Sequence, residues 1–139
     1  MTRSKNFVFY NVNPRQKYHK DGSLAKWKTP DCVIRAISKT ENISWLEAFD
    51  LLIKTARDNF MMPNQDDLLD ILLPQLGYEK HTFSSTSRAT MEYFVHRHPQ
   101  GTYIARTPKH ITAVVDGKFY DTWDCSRRYV SSYWEKLNK

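Results

Sequence analysis

Apolar and polar positions alternate along this chain in two distinct periods, helical in its first two thirds and strand-like in its last third. Phe7, Val8, Phe9 and Tyr10 stand together within Asn6–Asn13 and predict a first strand by their β-propensity. Residues 14–29 are polar and basic, carry Pro14 and Gly22, and read as a long loop. Pro30–Asp31–Cys32 then leads into Val33, Ile34, Ala36 and Ile37, a short apolar helix for which Asp31 is the expected N-cap, its carboxylate accepting from first-turn N–H groups. The next helix carries the clearest start signal. Ser44 and Glu47 have the spacing of a capping box, Ile43 is placed to staple onto Ala48, and Leu46, Phe49, Leu52, Ile53 and Ala56 follow at helical spacing. A third helix is expected from about Asn64, with Asp66 and Asp67 at its positive end, an apolar face of Leu68, Leu69, Ile71 and Leu72, and Pro74 and Gly77 closing it.

Tyr78–Phe83 reads as a short strand and Thr90 to His98 as another short helix, stopped by Pro99 and Gly101. Beyond that the period becomes two, with strands expected at Thr102–Arg106, His110–Val115 and Lys118–Trp123. Asp116–Gly117 between the last two is a two-residue hairpin signal. The aromatic segment Tyr129 to Trp134 is expected to add an edge strand or a helix. Helices first and an antiparallel meander second is an α+β order, with the N-terminal helices packed on a small C-terminal antiparallel sheet. No repeat or interdomain linker interrupts residues 1–139, so one domain is expected.

Bulk properties narrow the classes. Hydrophobic residues at 40% and charged residues at 26% are ordinary for a globular chain, and aromatics at 14% supply packing area. No stretch approaches the roughly 18 apolar residues a membrane span needs, and the basic N-terminus lacks the apolar run of a secretory signal, so a cytoplasmic location is expected. Two cysteines are too few for a disulfide framework, and Cys32 and Cys125 are expected to be free thiols. The net charge of +6 would attract nucleic acid, but the cations are scattered and form no basic arm. No cofactor is expected: no Gly-rich phosphate loop exists, and His81, His96, His98 and Cys125 lack metal-ligand spacing.

The candidate chemistry is a nucleophile with a base and an orienter. At the first turn of a helix, Cys32 sits in the positive end of the backbone dipole, which favours thiolate. A two-residue Asp116–Gly117 turn pairs Val115 with Lys118, Val114 with Phe119, Ala113 with Tyr120 and Thr112 with Asp121. His110, Thr112 and Val114 then share a face with Phe119, Asp121 and Trp123. His110 and Asp121 become diagonal neighbours at a Cβ separation of roughly 6–8 Å. That lets the carboxylate fix one ring nitrogen and leave the other for a thiol. Asp124 falls on the opposite face and is the second choice. Arg35, one turn after Asp31, is expected to pair with it rather than to meet substrate.

Asp31-Cys32-Val33-Ile34-Arg35-Ala36, His110-Ile111-Thr112-Ala113-Val114-Val115 and Tyr120-Asp121-Thr122-Trp123 together resemble the papain-like cysteine peptidase fold. There the nucleophilic cysteine opens a helix, the histidine begins a strand, and an Asn or Asp stands on the next one. Asp121-Thr122-Trp123 is similar to the Asn-Ser-Trp of papain, which implies that Trp123 shields the His110–Asp121 pair. The chain also looks like compact peptidase-like proteins of bacteria and their phages, which implies a phage-encoded protein acting in the bacterial cytoplasm on a peptide or protein substrate. One departure stands out. The family's upstream glutamine, a donor to the oxyanion, has no direct counterpart; Gln16, Asn13 (or Asn11) and Lys26 are the candidates. The resemblance thus implies a cysteine-dependent acyl-transfer enzyme, a peptidase or isopeptidase with a Cys32–His110–Asp121 triad, with transferase chemistry available to the same residues. A weak or inactive binding protein on the same fold, such as a phage or host-interaction factor, and a basic nucleic-acid-binding module are the two alternatives.

Overall fold

The computed structural model describes residues 3–15 and 29–137. Its elements run β1 (Phe7–Phe9), α1 (Cys32–Glu41), α2 (Trp45–Asp58), a 3-10 turn (Asp66–Leu68), α3 (Leu69–Gln75), β2 (Tyr78–Thr82), α4 (Met91–Arg97), β3 (Thr102–Thr107), β4 (His110–Val115), β5 (Lys118–Asp121) and β6 (Ser132–Lys136). This is an α+β architecture around one mixed sheet of order β1-β5-β4-β3-β6-β2.

The sheet differs from the small C-terminal antiparallel one expected. It takes in two strands from earlier in the chain: β1 lies parallel to β5, Phe7 opposite Phe119, and β2 lies antiparallel to β6. Tyr129 to Trp134 contributes to β6, which is no edge strand, because it pairs with β2 on one side and β3 on the other. Lys118–Trp123 ends as a strand at Asp121, and Trp123 stands beyond it.

Strand alternation divides the sheet into two faces, each with its own core. Ile104, Ile111, Ala113 and Trp134 point to the side covered by α1, α2 and α3, which contribute Ile37, Ala48, Leu52, Leu72 and Leu73. Tyr103, Ala105, Val114 and Phe119 point to the other side, under Met91, Phe94 and Val95 of α4. Thus α4 does not join the first three helices. Its N-cap, Thr90, accepts from the Tyr93 backbone N–H and sets where it begins. The capping box of α2 is present in both directions: Ser44 Oγ accepts from Glu47 N, and the Glu47 carboxylate accepts from Ser44 N.

Two tight turns bracket β4 and so position its first residue. At the far end Asp116 and Gly117 both have left-handed φ, 50° and 77°, the combination a type I′ hairpin needs. The resulting register pairs Val115 with Lys118, Val114 with Phe119 and Ala113 with Tyr120, as the turn chemistry predicts. A Cβ at position 117 would approach Pro99 Cα to 3.3 Å as well as strain the backbone. We therefore expect Gly117→Val to cost about 1–3 kcal/mol in urea unfolding, through left-handed strain at a β-branched residue. At the near end Pro108 and Lys109 turn the chain, and His110 pairs with Thr107. His110 therefore stands at the mouth of the sheet, where the start of α1 also lies.

Candidate active site

Cys32 is the first residue of α1 and is half-buried. The N-cap, Asp31, does not behave as expected: its carboxylate makes no capping hydrogen bond. It is drawn instead into a buried polar knot, where it is 3% exposed. One carboxylate oxygen pairs closely with Arg35, and the other accepts from Asn13 Nδ2 at 3.1 Å and Trp45 Nε1 at 2.9 Å. A guanidinium and two further donors outcompete the helix N–H groups for the same acceptor. The consequence is chemical as well as structural. The backbone N–H of Cys32, at the open end of the helix, is not claimed by a side-chain cap and remains suited to holding an oxyanion.

Asp121, 1% exposed, is the hub. Its Oδ2 accepts from His110 Nε2 at 2.5 Å and Thr112 Oγ1 at 2.5 Å, with the Cys125 thiol donating at 3.8 Å. Its Oδ1 accepts from the Thr122 backbone N–H at 2.7 Å and Arg35 Nη2 at 3.2 Å. With Nε2 engaged, Nδ1 is the His110 nitrogen left to face Cys32, and each side chain shifts the other's proton affinity. Trp123 lies against the imidazole at 4.9 Å between ring centroids, and stays 37% exposed on its outer side. The two rings are tilted by 49° to one another.

The electrostatics follow this layout. Burial alone would raise the Cys32 thiol, but the hydrogen bond and charge of His110, the Ile111 backbone N–H and the charge of Arg35 outweigh it, so Cys32 is held below its usual 9.0. Burial likewise opposes charge on His110, yet the Asp121 carboxylate and the Cys32 sulfur push it up to about 9. The opposed shifts favour the thiolate on Cys32 and the charged imidazole on His110. Asp121 is lowered despite burial, chiefly by its hydrogen bond from His110. Cys125 goes the other way: burial and the neighbouring Asp121 charge push it up to about 12. The surroundings favour the thiolate at Cys32 and the thiol at Cys125.

Asn13, 8% exposed, spends its amide on Asp31, while Gln16 and Lys26 lie outside the described residues. Asp124 accepts from the backbone N–H groups of Ser4 and Ser126 and takes no part in the His110 contact. Arg35 pairs with Asp31 as its spacing suggests and in addition reaches Asp121. That second bond, the Trp45 indole on Asp31 and the Cys125 donor were invisible in the sequence pattern. Thr112 had a signal: the hairpin register already set it opposite Asp121.

Among the described residues two groups have donors close enough for a metal ion, His110–Asp121–Cys125 and Glu79–His81–Glu135. In the first, the thiol is held protonated and the carboxylate is already occupied by four other donors. The second is a surface cluster in which His81 Nε2 lies 3.2 Å from each glutamate. No helix among the described residues is long and apolar enough to cross a membrane. Comparison of the chain with protein-family models, with curated proteins and with solved structures gives no match.

Proposed function

We propose that this protein is a cysteine-dependent acyl-transfer enzyme of papain-like design, hydrolysing an amide bond. The observation that carries the reading is the hydrogen bond of His110 to the buried Asp121 with Cys32 facing the same cleft as the imidazole, supported by opposite pKa displacements on Cys32 and His110. The thiolate attacks the substrate carbonyl, forming a C–S bond while the carbonyl electrons move onto oxygen. The Cys32 N–H at the open end of α1 holds that oxyanion. His110 gives its proton to the leaving amine as the C–N bond breaks. A water then attacks the thioester, passes a proton to His110, and the carboxylic acid leaves with regeneration of the thiolate. Asp121 keeps the imidazole oriented and stabilises its charge throughout. A reducing compartment such as the cytoplasm suits a mechanism that needs a free thiolate.

Alkylation tests this directly. Iodoacetamide at pH 6 is expected to modify Cys32 stoichiometrically and Cys125 not at all, as read by intact mass and peptide mapping of wild type and Cys32→Ser. The pH profile has a definite sign. The rate falls on the acid side, where the depressed Cys32 thiolate takes up a proton, and it changes again near pH 9, where His110 loses its charge. A single sigmoid centred at the ordinary thiol value of 9.0 would contradict the ion pair.

A further inference from the structure

A cleft of about 450 Å³ opens beside the candidate nucleophile, with Cys32 and His110 at one end of it. Its lining is mostly apolar, with Val33 from α1, Phe49, Leu52 and Ile53 from α2, and Leu68 and Leu69 where the 3-10 turn passes into α3, and it carries the charged Asp66, Arg106 and Lys109 as well. A cavity of this size is in the range that encloses a small ligand, and burial of hydrocarbon is what such a lining rewards. The connection that follows α2 adds to the picture at its lip. Phe60 is 99% exposed and held at a left-handed φ of 56°, and Met62 is 64% exposed, immediately before Pro63 and Asn64 of the cleft wall. A bulky residue in that conformation is costly, and an apolar one in water gains nothing from it.

The walls also show what the cleft does not offer. An extended peptide is commonly held by adding to a free strand edge. Here β3 is flanked by β4 and β6, and β4 by β3 and β5, so the strands beside the cleft have no open edge. The free edges, on β1 and β2, contribute no residue to it. The remaining lining comes from the sides of helices, whose N–H and C=O groups are spent internally, from residues 63–65 and from the turn between β3 and β4.

We infer that the cleft is an acyl pocket and that the substrate's acyl half is an unbranched aliphatic chain, laid along α2 with its carbonyl at Cys32. This rests on the acyl-transfer reading and specifies what is transferred. The carbonyl carbon bonds to the Cys32 sulfur, the leaving amine, alcohol or thiol departs with a proton from His110, and water releases the fatty acid.

The test is a chain-length series of para-nitrophenyl esters, from acetate through butanoate and hexanoate to octanoate. It is followed by nitrophenol release and by intact mass for acyl-Cys32. Each methylene that enters the cleft is expected to raise kcat/KM about two- to fourfold, so the six between acetate and octanoate give a rise of about a hundredfold or more. Ile53→Trp, which fills the cleft from α2, is expected to flatten that slope to less than tenfold over the series. A level or falling series in which acetate still loads Cys32 overturns the aliphatic assignment and leaves the nucleophile standing. So does a slope that Ile53→Trp does not change, or a peptide ester of a bulky apolar residue reacting faster than octanoate. Failure of every ester to load Cys32 sinks the acyl-transfer reading itself.

Discussion

His110→Ala is expected to slow alkylation of Cys32 at pH 6 by about 10- to 100-fold. In the wild type His110, with its opposing charge, favours the thiolate of Cys32 over the thiol. Without the imidazole the largest remaining influence on the sulfur is burial, which favours the neutral thiol. A thiol at or above 9.0 is thiolate in only about one molecule in a thousand at pH 6, and the greater nucleophilicity of a more basic thiolate returns part of that loss. The variant should fold, since His110 is at a strand end and its removal leaves Asp121 with Arg35, Thr112 and the Thr122 N–H. Labelling in His110→Ala within threefold of wild type, with circular dichroism unchanged, would show that the two side chains do not act as a pair.

The largest effect on stability is expected at Arg35. Its guanidinium is 8% exposed and bridges Asp31 and Asp121, themselves 3% and 1% exposed. Replacing it with methionine keeps the volume, leaves buried Asp31 without its cation and leaves Asp121 with only His110 for an ion-pair partner among the described residues, a loss of about 3–5 kcal/mol. For a chain of this size that is roughly 10–20 °C in Tm. The mechanism has an internal control. Asp31→Asn added to Arg35→Met removes the stranded charge, so the pair should be more stable than Arg35→Met alone, and a double-mutant cycle reads the difference. If Arg35→Met melts within 3 °C of wild type, the ion network does not hold α1 to the hairpin. Its pH dependence follows from Asp121, whose depressed pKa makes its contribution present above the ordinary carboxylate value of 3.8 and lost as pH falls further.

Arg35 also explains why the site is assembled at all. Cys32 and Arg35 lie one turn apart on the same helix. A bond from Arg35 to the carboxylate that orients His110 therefore fixes the distance between nucleophile and base. The salt bridge spans 86 residues of sequence, so no local pattern encodes it.

What the sequence by itself determined are the features whose cause is local. Ser44 and Glu47 start α2 because their side chains meet backbone groups three residues away. Asp116–Gly117 sets the β4–β5 register, because a two-residue turn admits one pairing. From that register alone His110, Thr112 and Asp121 fall on one face. Tertiary structure decided whatever depends on competition between distant partners. Asp31 has the composition and position of an N-cap, yet its carboxylate goes to Arg35, Asn13 and Trp45, since charged and buried donors bind it more strongly than helix N–H groups do. The parallel pairing of β1 with β5, the interior place of β6, the cover of α4 on the opposite face and the apolar cleft beside Cys32 belong to the same category. A strand's own residues state that it will pair and which side is apolar. Which neighbour it takes depends on the packing of the whole sheet.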